Sequence, residues 1–118
     1  MGKVKVVNVK GLRVGDMRVW YVGRRCNGWE GSVLGNKFKV GVDGSREEVI
    51  EKYRVWLWGE VKKGLKGEGG KVWEELCVLR DRVREGKEVV LGCWCVPLGC
   101  HGEVIRGCVL WLVKKEEV

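Results

Sequence analysis

The sequence predicts one small α/β domain spanning residues 1–118, with a small mixed sheet of three to four strands and three helices in the order β-β-(β)-α-α-β-α. Three observations carry this. β-branched runs open the chain, apolar residues then recur at helical spacing, and a short apolar strand precedes a last apolar helix. A chain of 118 residues is about one domain long.

The first strand is expected at about 3–9, where Val4, Val6, Val7 and Val9 cluster. Arg18 to Gly23 reads as a second. Too few residues separate the two for a helical crossover, so an antiparallel pair is expected. Residues 24–36 read as a loop with three glycines. Loops of this length without structure of their own are often functional. Lys37 to Gly41 reads as a short edge strand.

Ser45-Arg46-Glu47-Glu48 is a capping box that starts a helix. Ile50, Tyr53, Leu57, Val61 and Leu65 continue it, with Val49 and Trp56 beside them, and Gly67 to Gly70 ends it. A second helix over about 71–85 carries Val72, Leu76, Leu79 and Val83 on one face and stops at Gly86. A strand over 88–94 and a helix over about 100–115 complete the chain. Such helices bury their apolar stripes on the sheet. Ligands in open α/β sheets usually lie at the carboxyl ends of the strands.

Composition narrows the class. With 45% hydrophobic and 33% charged residues, the chain is globular. No apolar run approaches the roughly 18 residues of a membrane span, so no membrane partner is expected. Met1-Gly2-Lys3-Val4-Lys5 lacks the apolar core of a signal peptide. An intracellular protein is expected, in the host cytoplasm if the source is viral. Ala, Gln and Thr are absent while Lys and Glu are abundant, which fits a thermophile or a G-rich coding strand. The net charge of +7 is concentrated early: residues 1–25 hold seven Lys/Arg and one Asp. That basic stretch attracts phosphate or nucleic acid, or serves only solubility.

Two constellations could carry chemistry. In Cys93-Trp94-Cys95-Val96-Pro97-Leu98-Gly99-Cys100-His101, three of six cysteines and the one histidine fall within nine residues. Cys93, Cys95, Cys100 and His101 would make a set of three thiols and an imidazole for zinc, but Cys-x-Cys and adjacent Cys-His depart from the usual ligand spacing. Side chains on successive helical residues diverge by about 100°. No zinc held by all four is therefore expected, and no metal ligand is assigned. Cys100 and His101 instead fall at a helix start, where free N–H groups bind anions and lower a thiol pKa. They are the candidate catalytic residues, Cys100 as a nucleophile, or His101 as a general base or a hydrogen-bond donor to phosphate. Buried cysteines can also be plain small hydrophobes, and Cys95 and Cys100 could form a disulfide. Cys77 and Cys108 fall on inward helix faces.

The second constellation is Gly23-Arg24-Arg25 with Ser32 to Asn36. Arg24, Ser32 and Asn36 are the candidate ligand-binding residues: arginine recognises phosphate in a planar fork, and the other two orient a sugar or base. An Arg-rich loop with Asn36 in a left-handed turn is the ordinary alternative. Trp29 and Trp94 lie in or beside the loops, where they could stack on a base. Arg24 and His101 are expected to line one cleft.

Several segments together resemble the family catalogued as domain of unknown function 4326, found in phages, archaeal viruses and prokaryotes. They are Val6-Val7-Asn8, Tyr21 to Arg24, Ser32 to Phe38, Ser45 to Tyr53, and Cys93 to Cys95 with Cys100 to Ile105. The family's loop typically reads Ser-Pro-Leu-Gly-Asn-Pro-Phe, and Val33 and Lys37 replace its prolines here. The resemblance implies a site and supplies no reaction or cofactor. The expected function is binding of a nucleotide or other phosphate-bearing ligand in a cleft between the 24–36 loop and the start of the last helix. The alternative is a basic nucleic-acid-binding module without enzymatic activity, with or without stabilising zinc.

Overall fold

The computed structural model describes residues 2–96 and 98–115. It contains β1 (Val4–Asn8), β2 (Trp20–Tyr21), α1 (Arg46–Leu65), α2 (Lys71–Arg84), β3 (Val89–Cys93) and α3 (His101–Lys114). The α/β class and the three helices agree with the sequence reading. Among the described residues no helix is long and apolar enough to cross a membrane.

The sheet order is β1-β3-β2, and both neighbours run parallel to β3. The expected antiparallel β1–β2 pair does not form, and the sheet is not mixed. The short connection does exclude a helical crossover, but it forces antiparallel pairing only if the two strands are neighbours. Instead, residues 9–19 pass back across the face of β3 in successive tight turns, Leu12 N–H to Val9, Asp16 N–H to Arg13 and Val19 N–H to Asp16. The strand pair to be bridged is about 10 Å wide, within easy reach of this loop. Gly92 makes the crossing feasible. A Cβ there would fall 2.4 Å from Val19 Cγ1 and 2.5 Å from Val9 Cγ1. The opposite face of β3 buries Val89, Leu91 and Cys93 against the helices.

The expected strand at 37–41 is also absent. The Asp43 carboxylate accepts the Lys39 N–H at 2.8 Å, and Gly41 N–H bonds the Gly44 carbonyl at 2.8 Å. These bonds close the segment into a turn, leaving an isolated bridge between Val40 and Gly44.

Helix α1 begins as the capping box requires. Ser45 Oγ accepts the Glu48 N–H at 3.2 Å, and Glu48 Oε1 accepts the Ser45 N–H at 2.9 Å. Val49, Tyr53, Leu57 and Val61 are buried along it, while Leu65 is exposed. Helix α2 buries Val72, Leu76, Leu79 and Val83, as its pattern predicts. The interior face of α3 is wide, from Val104 and Ile105 through Cys108 and Val109 to Leu112. Its Arg106 donates to the Val4 carbonyl at 2.8 Å, tying the helix to β1. The Tyr53 hydroxyl, fully buried, donates to the Leu34 carbonyl at 2.6 Å and fixes the 24–36 loop to α1.

Two substitutions test this arrangement. Gly92→Ala should destabilise the fold by about 1–3 kcal/mol through overpacking, and Val19→Ala in the same chain should recover part of the loss, read by urea unfolding. Equal stability of Gly92→Ala and the parent would mean that the 9–19 loop does not cross β3 there. Tyr53→Phe should cost about 1–3 kcal/mol by leaving the Leu34 carbonyl without its donor, with a measured loss near zero counting against that anchor.

Candidate functional site

Because the three strands are parallel, their carboxyl ends meet at one edge of the sheet. There β2 runs into Gly23 and Arg24, β3 runs into Cys93-Trp94-Cys95, and α3 begins. Asn8, the last residue of β1, donates through Nδ2 to the carbonyls of Trp94 at 3.2 Å and Val96 at 2.6 Å. This holds the segment after β3 against the sheet. A cleft of about 740 Å³ opens at this edge.

Arg24, Asn36, Cys100 and His101 all border that cleft. The two constellations therefore share one cavity, with Arg24 and His101 on its walls. Ser32 is not among the lining residues. Its hydroxyl accepts the Leu34 N–H at 3.0 Å, and its own N–H bonds the Gly23 carbonyl at 3.0 Å, so it shapes the loop. Asn36 likewise spends Oδ1 on the Phe38 N–H at 2.9 Å; its Nδ2 is the group left to face a ligand. The left-handed turn lies at Asn27 and Gly28 (φ 47° and 90°), not at Asn36. Cys26 and Trp29 exchange backbone hydrogen bonds around it, the pattern of a two-residue hairpin. Trp29 is buried and stacked on Tyr21 at 5.0 Å, so it is structural and no platform for a base. Trp94 is half-buried and borders the cleft, with its indole N–H donating to the Tyr21 hydroxyl at 3.0 Å.

The cleft also recruits Lys39 and Arg46, which sequence patterns did not single out. They join Arg24 and Arg25 around it, and among the described residues its lining includes no Asp or Glu. Among the described residues none of these four cations is in an ion pair. Arg46 follows the N-cap of α1 and reaches across to the Gly99 carbonyl at 3.3 Å. Helical periodicity marks it as polar and says nothing of what its exposed face meets. Elsewhere the early positive charge is partly neutralised: Arg18 clasps Asp16 at 2.8 Å, and Lys5 stands 3.6 Å from Glu88.

The cysteines converge at the floor of the cleft. Cys100 is the N-cap of α3, with extended backbone (φ −143°, ψ 144°), so it precedes the helix and the expected divergence from His101 does not arise. Its Sγ accepts the Gly102 N–H at 3.4 Å, lies 2.7 Å from Cys93 Sγ and 3.7 Å from His101 Nδ1. Two thiolates on one tetrahedral zinc would stand about 3.8 Å apart given 2.3 Å bonds. Among the described residues no group of three His, Cys, Asp or Glu side chains is spaced to hold a metal ion. Hydrogen bonding to Cys93, then to Cys95, together with burial pushes the Cys100 thiol up. Cys95 is the more exposed member, and hydrogen bonds from Cys100 and Cys93, with Arg46 nearby, hold its thiol below the ordinary value.

His101 is 7% exposed. Its Nε2–H donates to the Val22 carbonyl at 2.7 Å, which leaves Nδ1 unprotonated and directed at Cys100. The Tyr53 ring meets it edge-on at 5.1 Å. Burial lowers its pKa below the usual 6.5, outweighing the Val22 bond that favours the cation. The unfolded chain then binds more protons than the folded one just below pH 6.5, so this contribution is full above that pH and is lost as pH falls through the folded value. From about pH 7 to about pH 5, the parent should lose more stability than His101→Gln, which keeps a donor for Val22 without titrating. Identical pH profiles in urea unfolding would show that His101 is not buried neutral.

Comparison with known proteins adds one relationship. No curated protein and no solved structure matches the chain. Residues 4–111 match the family model described as Domain of unknown function (DUF4326), and the chain belongs to that family.

Proposed function

We propose that the cleft binds a nucleotide or another phosphate-bearing ligand between the 24–36 loop and the start of α3. One observation carries this reading: among the described residues, four cationic side chains and no carboxylate border a single cavity at the carboxyl ends of parallel strands. A concentration of one sign of charge in a low-dielectric cleft focuses the field on an anion. The N-terminus of α3 adds the positive end of its dipole, with its Gly102 and Glu103 N–H groups already bonded to Cys100. The volume suits a ligand of nucleotide size, since small-molecule sites run from about 300 to 1,000 Å³.

In this reading Arg24 holds phosphate oxygens in a bidentate fork. Asn36 Nδ2 donates to the polar part of the ligand, and Ser32 keeps the loop in shape for both. Phe38 and Trp94 offer apolar edges to a base or sugar. Cys100 and His101 form the opposite wall, where a neutral imidazole Nδ1 can accept a proton. The charge distribution favours this cleft over the rest of residues 1–25 as the anion site, because Arg24 and Arg25 belong to it while Arg18 and Lys5 have carboxylate neighbours.

Calorimetric titration with inorganic pyrophosphate and with nucleoside mono-, di- and triphosphates tests the reading, with the uncharged nucleosides as controls. The phosphorylated compounds should bind, and Arg24→Ala or Arg46→Ala should each weaken binding about ten- to a hundredfold, the worth of one charge-assisted hydrogen bond. No binding of any phosphate at low ionic strength would overturn it. Equal affinity in the arginine variants, with duplex DNA bound through Lys3, Lys10 and Arg13 instead, would favour a nucleic-acid-binding surface.

A further inference from the structure

Two of the cysteines are set against each other by the fold itself. Cys93 ends β3, where it pairs with Asn8 of β1, and its carbonyl accepts the Val9 N–H at 2.9 Å. Cys100 caps α3, and its carbonyl accepts the Glu103 N–H at 3.1 Å. Both backbones are therefore held by the sheet and the helix, whatever the state of the sulfurs. Between these anchors the two Sγ atoms lie 2.7 Å apart. A disulfide needs about 2.05 Å, so the pair has only ~0.7 Å to close. Spacing along the chain offers Cys95 as a partner, but the sulfur set against that of Cys100 belongs to Cys93. We propose that Cys93 and Cys100 are a site of reversible disulfide formation, oxidised by small hydroperoxides that enter through the cleft.

Burial sets the class of oxidant. Both residues border the cleft, yet Cys93 is 1% and Cys100 3% exposed. Such an opening admits a hydroperoxide of a few atoms more readily than a bulky disulfide. His101 Nδ1 lies 3.7 Å from Cys100 Sγ, is unprotonated while Nε2–H bonds Val22, and takes the Cys100 proton. The Cys100 sulfur attacks one peroxide oxygen and the O–O bond breaks. The leaving oxygen takes the proton from the imidazolium, and Cys100 is left as a sulfenic acid. The Cys93 sulfur then attacks the Cys100 sulfur, the S–O bond breaks, and hydroxide leaves with the Cys93 proton as water. The dithiol loses two electrons and the peroxide gains two. Hydrogen bonding to Cys93 and to Cys95, then burial, raises the Cys100 thiol, so little thiolate is present and the reaction is slow. The site therefore records sustained oxidation and does not clear peroxide. Once formed, the bond ties the end of β3 to the start of α3 and closes residues 94–99, part of one cleft wall, into a ring. The inference does not depend on the phosphate reading.

The test is oxidation of the reduced full chain by hydrogen peroxide. Free thiols are then blocked with one reagent, disulfides are reduced and labelled with a second, and fragment ions locate each label. The exposed Cys26 thiol marks that the oxidant has acted. In the parent, Cys93 and Cys100 should carry the second label together while Cys95 carries the first, and dithiothreitol should restore both thiols. The urea midpoint of the oxidised chain should shift upward, because the bond constrains the unfolded chain. Cys95→Ser should form the same bond. The second label on Cys95, or the first label on both Cys93 and Cys100 after Cys26 is consumed, would overturn the proposal, as would loss of the bond in Cys95→Ser. If that variant does not fold, the label map of the parent decides alone. Failure of pyrophosphate to bind would leave these readouts unaltered.

Discussion

The position of β3 between two parallel neighbours is the constraint from which the rest follows. It is possible because Gly92 presents no side chain to the face that Val9 and Val19 cover. With the loop after β1 lying across that bare face, β2 can reach the far edge and still point the same way. All strand ends then discharge at one edge, and whatever follows each strand becomes a wall of one cleft. The helices occupy the other face through Leu91 and Cys93, so α3 necessarily starts where β3 has just ended.

That placement sets two electrostatic demands against each other. The edge collects arginine and lysine side chains and a helix N-terminus, which together favour an anion. Yet the deepest residues there, Cys93, Cys100 and His101, are buried. Burial disfavours charge on all of them. The chain resolves this by burying His101, which keeps it neutral although its bond to Val22 favours the cation, and by leaving Cys95 half-buried, with its thiol held below the ordinary value by hydrogen bonds from Cys100 and Cys93. Cations stay at the solvent side, where holding them costs little, and the uncharged polar groups line the floor.

What the sequence made legible is local physics. The Ser45–Glu48 box, the stripes of α2 and α3, and the strand over 89–93 depend on neighbours a few residues away, and their boundaries fall within a residue or two of the pattern. Strand pairing is different. Val4 to Val9 and Trp20-Tyr21 look like a consecutive pair, and only the nonlocal insertion of β3 decides otherwise. The same holds for Arg46 and Lys39, which periodicity marks only as exposed. The candidate cleft was legible through Arg24, Asn36, Cys100 and His101, because each sits directly after a strand or in a loop too polar for the core. Ser32 shared that signal, but its hydroxyl is taken by the turn it forms. A short polar side chain beside a backbone N–H serves the turn first.

The displacement of Cys100 by one position shows how little separates two chemistries. Inside the first turn, its thiol would point away from His101 by about 100° and stand as an isolated nucleophile. As the N-cap it has extended backbone, its sulfur takes the Gly102 N–H, and it comes into reach of both Cys93 and His101 Nδ1. The capping sulfur is committed as acceptor to the Gly102 N–H. β3 ends at Cys93, and Trp94 just beyond it turns its indole N–H to the Tyr21 hydroxyl. One residue of register at a helix start thus decides which neighbours the Cys100 sulfur meets.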